Sequence, residues 1–264
     1  GAKPHQGAGE DEADRGHDRA VGHQPDRQAI DRQHAHAHDA AAKAFLCGAQ
    51  QDDGQADHAQ ARDAVHSSLD IQNIQDRILH ETIALQSKAK SRAQYLQRPD
   101  WGRQLSEASK QALKNVVDTP QDIAIVIADG LSANAVNTHA IPVVNGLLNV
   151  LIQHHWRIAP IALVEQGRVA VADEIASAFK AEIVLILIGE RPGLSSPDSM
   201  GAYLTYQPSV GITDERRNCV SNIRPEGLNY PAAIEKLLYL LTEMKTQQIS
   251  GINLKDEMQG KLLY

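Results

Sequence analysis

The apolar positions change their period partway along the chain. Up to Gln55 there is almost no pattern: Val21, Ile30, Phe45 and Leu46 are the only large apolar side chains, set among Ala, Asp, Gln, Gly, Arg and His. Ordering a residue costs about 1–2 kcal/mol of backbone entropy, and this stretch has little to bury in return. Residues 1–56 are therefore expected to be disordered or anomalous, and the abrupt break in composition near Gln55 resembles a change of reading frame. From Asp57 to His66 the pattern reads as helical. Ile71, Ile74, Ile78, Leu79, Ile83 and Leu85 then recur at the spacings of an amphipathic helix. A further helical pattern runs from Trp101 to Val117, carrying Leu105, Ala108, Ala112, Leu113 and Val116. Arg98-Pro99-Asp100 separates the two, with the proline stopping one helix and the aspartate placed to cap the next. Residues 57–118 are expected to form a small α-helical module.

From Asp122 the period alternates. Ile123 to Ala128, Ile161 to Val164 and Ile183 to Ile188 are short, continuous apolar runs rich in β-branched residues, as strands buried on both faces require. Tyr203 to Tyr206 and Asn218 to Ile223 are weaker strand candidates. Between them, Ile141 to His155, Val171 to Phe179 and Tyr230 to Lys245 show helical spacing. Strands alternating with helices imply crossover connections and a mostly parallel sheet. The fold class predicted is α/β, a Rossmann-like sheet flanked by helices over residues 119–254, with residues 255–264 as a C-terminal extension.

Composition narrows the function classes. A net charge of -7 argues against a general nucleic-acid binder, which would carry a basic patch or stripe. No apolar run approaches the roughly 18 residues of a membrane span, and no signal-peptide pattern opens the chain. Aromatic residues make up only 4%, so the core must be built from Ile, Leu, Val and Ala. The two cysteines, Cys47 and Cys219, form neither a disulfide framework nor a thiolate zinc set. His34, His36 and His38 alternate as zinc- or nickel-binding tracts do, although a compositionally biased tail explains them more simply.

Ligands of open α/β sheets bind beyond the carboxyl ends of the strands. That rule selects three loops. Asp129-Gly130-Leu131-Ser132 follows the first strand, where Asp129 and Ser132 either face a ligand or form a turn and a helix cap. Glu165-Gln166-Gly167-Arg168-Val169 follows the second, and its glycine allows close backbone approach. Gly189-Glu190-Arg191-Pro192-Gly193-Leu194 follows the most apolar strand. There Glu190 can accept hydrogen bonds from a ligand amide or hydroxyl and Arg191 can hold a phosphate or carboxylate, unless the two simply pair with each other. A dinucleotide fingerprint, a Walker-type loop and a nucleophile elbow are all missing. Cys219, in a strand candidate with no histidine near it in sequence, reads as inert. From these residues alone the chain is an α/β ligand-binding domain without a recognisable catalytic set.

The same loops carry a resemblance. Arg98-Pro99-Asp100-Trp101-Gly102-Arg103, Ala128-Asp129-Gly130-Leu131-Ser132, Gln166-Gly167-Arg168-Val169, Gly189-Glu190-Arg191-Pro192-Gly193-Leu194, Cys219-Val220-Ser221-Asn222-Ile223 and Ser250-Gly251-Ile252-Asn253 occur in this order. Together, over roughly Asp57 to Leu254, they resemble the small (light) subunit of ethanolamine ammonia-lyase. The resemblance implies a subunit of an adenosylcobalamin-dependent lyase that converts ethanolamine to acetaldehyde and ammonia by a radical mechanism. It implies a hetero-oligomer in which a large barrel subunit holds the substrate and this chain completes the cobalamin site at the interface. Carried over by motif, the cofactor contacts are Val169, Glu190 and Cys219, with Arg168, Arg191, Asp129 and Ser132 as weaker candidates. Val169 and Glu190 lie in loops already selected by the strand-end rule, while Cys219 gains a contact but no chemistry. The absence of an Asp-x-His-x-x-Gly motif agrees with base-on cobalamin binding. The implied location is cytoplasmic, inside a bacterial microcompartment. A stand-alone binding protein for a nucleotide-like ligand, or a non-catalytic shell component, are the rival readings.

Overall fold

In the computed structural model, period-two alternation splits each buried run into two opposite faces. The structure describes residues 1, 67–192, 196 and 198–258. The segment 1–56, its histidine tract, the helical reading over 57–66, Gly193-Leu194 and the tail after 258 lie outside the described residues. Residues 67–258 fall within one compact unit, Gln51–Tyr264.

Six strands form one mixed sheet in the order β1-β3-β2-β4-β5-β6. They are β1 (Thr82–Gln86), β2 (Gln121–Ala128), β3 (Ile161–Glu165), β4 (Ala181–Gly189), β5 (Met200–Tyr206) and β6 (Asn218–Ile223). β1, β3, β2 and β4 run parallel, and β5 and β6 are added antiparallel. The α/β class with a mostly parallel sheet is what the alternating pattern predicts. In β2 and β4, Ile123, Ile125, Ile127, Ile183, Leu185 and Leu187 point to one face and pack on α4 (Ala133–Gln153) and α6 (Tyr230–Gln247). The intervening Ala124, Val126, Ala128, Val184, Ile186 and Ile188 point to the other, under α5 (Val171–Ala178). Most of the described core positions on both faces are fully buried, at about 25 cal/mol per Å² of apolar area removed from water. α4 is the one described helix long and apolar enough to cross a membrane, and its apolar side chains are spent largely on this core.

Three local expectations change. Ile83 and Leu85, read as the end of a helix, lie in strand β1, paired in register with β3 from Thr82↔Ile161 to Gln86↔Glu165. The helix preceding it, α1, spans only Ile71–Arg77, and Leu79, which the spacing puts on its apolar stripe, is 68% exposed. A free strand edge on β3 outweighed a spacing that fits either period. The helix expected over Trp101 to Val117 is instead a 3₁₀ turn, Trp101–Arg103, and α3, Glu107–Leu113. Asp100 does not cap it, because its carboxylate accepts from Arg98 Nη2 at 2.7 Å and Nε at 3.0 Å; Ser106 caps α3. A short helix α2, Arg92–Gln97, precedes the turn. Finally, α4 begins at Ala133, well before Ile141, because the Ser132 hydroxyl caps it by accepting from Ala135 N–H. Polar residues along α4 have tertiary roles. Asn137 and Asn145 hold the two ends of α1, accepting from Asp70 N–H at 2.9 Å and Leu79 N–H at 3.0 Å.

Candidate functional site

The chain leaves β2 for α4 on one face of the sheet and leaves β3 for α5 on the other. The carboxyl ends of β2, β3 and β4 therefore open into a crevice at the point where the connections diverge. A depression of about 450 Å³ lies there, lined by Gly130 and Leu131 after β2, Arg168 and Val169 after β3, and Ile188 to Arg191 at the end of β4, together with Tyr95 and Tyr203. A neighbouring groove of about 670 Å³ shares Arg168, Val169 and Tyr203 and extends along α5 to Thr213 and Asp214.

The floor is a set of close backbone approaches. Leu131 N–H donates to Gly189 O at 2.9 Å, and a Cβ on Gly189 would collide with the Ser132 and Asp129 carbonyls. Asp129 is buried and accepts from Gln166 N–H at 2.9 Å and Gly167 N–H at 3.0 Å, which ties the β3 loop to the β2 loop. Gln166 takes a left-handed conformation at φ 55° to present these successive N–H groups, an arrangement suited to an anion. Burial pushes the Asp129 carboxyl up to about 6, although those bonds and the Arg92 guanidinium, with Nη1 at 4.0 Å, pull the other way. Ser132 is fully buried as the cap of α4. Asp129 and Ser132 thus stand behind the depression rather than on its lining.

The wall is a guanidinium stack. The Arg92 and Arg168 guanidinium carbons stand 4.6 and 4.5 Å from the centroid of the Tyr95 ring. Arg168 Nη2 also donates to Tyr95 O at 3.2 Å and Arg168 N–H to Gly102 O at 2.8 Å. Burial pushes the Tyr95 phenol up to about 12, the charge on Arg168 opposing it, so the ring is neutral at physiological pH. Sequence reasoning missed Tyr95 and Arg92. The Gly102 contact gives the Arg98–Arg103 motif a physical role, in that it fixes the backbone of the residue before Val169.

Glu190 does not pair with Arg191. Its Oε2 accepts from the Ser199 hydroxyl in a short hydrogen bond and from Asn222 N–H at 3.2 Å. Cys219 is exposed on β6, opposite Tyr203 of β5 in register, and does not line the depression itself. Crowding by surrounding protein pushes its thiol pKa up; Tyr203 hydrogen bonding opposes this and the charge of Glu190 adds to it. A neutral thiol results, in keeping with contact rather than nucleophilic chemistry. Val169, Arg168, Glu190 and Arg191 are thus brought together, with Cys219 one strand away. Among the described residues no group of His, Cys, Asp and Glu could hold a metal ion.

The comparisons with known proteins agree with one another. Residues 40–255 match the family ethanolamine ammonia-lyase light chain (EutC). The chain belongs to this family. It is 54% identical over 215 residues to the ethanolamine ammonia-lyase small subunit of Ralstonia nicotianae, covering 79% of this chain and 80% of that protein. Small subunits of the same name from Pseudomonas syringae pv. tomato and Pseudomonas fluorescens are 52% identical over 213 residues and 50% identical over 212. These alignments cover 78% of this chain and 74% and 76% of the relatives. The match to the light-chain family begins at residue 40, inside the segment set apart by composition. The small-subunit name these relatives carry implies a larger subunit beside each of them.

Proposed function

We propose that this chain completes an adenosylcobalamin site at its interface with the larger subunit, in a lyase that converts ethanolamine to acetaldehyde and ammonia. The observation that carries the reading is the convergence of Arg168, Val169, Glu190 and Arg191 on one open depression at the switch point of the sheet, with no acid–base or nucleophilic set beside it among the described residues. Such a surface suits a wall supplied to a site that another chain closes. The residues fit a large, amide-rich ligand in two further ways. Arg168 Nε and Gln166 Oε1 are buried without a hydrogen-bond partner at this wall, a donor and an acceptor with unmet capacity. Glu190 offers an acceptor whose orientation is already fixed.

The chemistry supplied by the bound cofactor is radical generation by cobalt–carbon homolysis. The chain's own part is binding and shape. Val169 contributes apolar surface, Glu190 accepts hydrogen bonds from ligand amides, Arg168 and Arg191 supply donors, and Cys219 contacts as a neutral thiol. Asp129 ties the β2 and β3 loops together beneath them, and Ser132 caps α4. Base-on cobalamin binding, a cytoplasmic location and residence in a microcompartment belong to the same reading.

Glu190→Ala tests it. In the assembled complex the substitution is expected to weaken adenosylcobalamin binding on the order of tenfold, the value of a hydrogen bond to a charged group. Equilibrium dialysis reads the affinity and circular dichroism confirms the fold. Unchanged affinity in a folded, assembled variant would remove Glu190 from the site.

A further inference from the structure

Glu190 sits in a socket that the ordinary geometry of a sheet would not provide. β5 and β6 lose register between Met200 and Ala202: Met200 pairs with Ile223, but Ala202 pairs with Val220, leaving one extra residue on β6. Asn222, within this bulge, adopts a left-handed conformation at φ 58°. A bulge frees a backbone N–H from the ladder and re-aims it. Here the Asn222 N–H is turned to Glu190 Oε2, the oxygen that also accepts from the buried Ser199 hydroxyl. Arg224 Nε holds Asn222 Oδ1 at 3.0 Å, and Arg224 Nη1 reaches Asp198 Oδ1 at 3.4 Å, which braces the bulge against the residue before Ser199.

The space is as specific as the bonds. A Cβ built on Gly201 would stand 2.8 Å from Glu190 Oε1 and 3.2 Å from both Cδ and Cγ, and these are its three nearest atoms. The Glu190 side chain therefore lies across the bare Cα of Gly201. The three atoms an added methyl would meet first all belong to the flexible acid and none to backbone, so the acid is what must move.

We propose that Ser199 and Gly201 are positioning residues for Glu190, the one orienting its carboxylate by donation and the other leaving the space in which it lies. The socket leaves Oε2 saturated and Oε1 as the acceptor presented to a ligand. The functional half of this inference rests on the cobalamin-site reading; the structural half does not.

The test is a pair of double-mutant cycles with Glu190→Ala. For the structural half, Gly201→Ala should lower the unfolding midpoint of the chain in the otherwise wild-type background. In the Glu190→Ala background the same change should be neutral or stabilising, since alanine suits a strand better than glycine and the colliding side chain is gone. Equal destabilisation in both backgrounds would overturn the socket. For the functional half, Ser199→Ala and Gly201→Ala should each weaken adenosylcobalamin binding to the assembled complex by roughly three- to tenfold. Ser199→Thr, which keeps the hydroxyl, should restore most of the affinity. Neither change should weaken binding further once Glu190 is alanine. Additive losses, or a Ser199→Ala variant with wild-type affinity where Glu190→Ala is impaired, would overturn the positioning role. If Glu190→Ala itself binds normally, the functional half falls together with the assignment of Glu190 to the site, while the Gly201 stability cycle still decides the socket.

Discussion

Arg217→Ala is expected to cost about 3–5 kcal/mol of stability, because it leaves a buried carboxylate without its partner. Arg217 Nη1 and Nη2 donate to the two oxygens of Asp173 at 2.9 and 2.7 Å, and Nη1 also donates to Thr205 Oγ1 at 3.1 Å. Both side chains of the ion pair are 2% exposed. Burial alone would lower the pKa of the guanidinium, yet the bonds and charge of Asp173 more than offset it and leave it raised. The pair joins the first turn of α5 to the start of β6, so it also fixes Val169, just before α5, relative to Cys219. Asp173→Ala should destabilise similarly. The double replacement Asp173→Leu/Arg217→Met should recover much of the loss, since desolvating two charges offsets most of the benefit of a buried pair. Urea unfolding of the single and double variants checks this. A single variant within about 1 kcal/mol of wild type would show that the pair is solvated in solution.

Asp129→Ala is expected to be the other severe change, at about 3 kcal/mol or more, because the Gln166 and Gly167 N–H groups lose their acceptor and Arg92 loses the carboxylate 4.0 Å from its Nη1. Its effect should reach Arg168 and Val169 through the β3 loop. Asp129 also gives a pH signature. Its carboxyl is raised to about 6 by burial, above the value of an aspartate in the unfolded chain, so the folded state holds the proton more tightly. The stability contributed by this excess affinity is complete below about pH 4 and is lost as pH rises through about 6. An asparagine side chain cannot titrate; the stability of wild type relative to Asp129→Asn should therefore be greatest near pH 4 and shrink toward pH 7. Unfolding free energies measured across that range decide it, and a difference that grows with rising pH would contradict the raised carboxyl.

The parallel centre of this sheet was legible because its strands are long apolar runs whose alternate residues serve two cores. Ile123 to Ala128 and Ile183 to Ile188 fit no exposed element. β1 was not legible: Ile83 and Leu85 satisfy helical spacings with Leu79 and Ile78 respectively and a strand spacing with each other, and only the open edge of β3 decides between them. The start of α4 was hidden because Asn137 and His139, before Ile141, are polar for tertiary reasons. His139 Nδ1 lies 2.7 Å from the Tyr230 hydroxyl, and Asn137 accepts from Asp70 N–H at the start of α1.

The site divides in the same way. Strand-end position marks Val169, Glu190, Arg168 and Arg191, because a mostly parallel sheet presents its loops at one edge. Asp129 and Ser132 share that position but turn inward as loop tie and helix cap. No local pattern distinguishes these fates. Tyr95 and Arg92 reach the site from α2, far away in sequence, and the three-residue spacing between them is only a weak sign of a stacked pair. The Ser199, Gly201 and Asn222 socket depends on a register shift between two strands that pairwise reading along one chain does not reveal.

The most direct measurement is ammonia release from ethanolamine after this chain is mixed with a matching larger subunit and adenosylcobalamin. Release that requires all three components is the predicted result. A complex that assembles and stays folded, yet neither binds adenosylcobalamin nor releases ammonia, would contradict the assignment of a cobalamin wall to this chain.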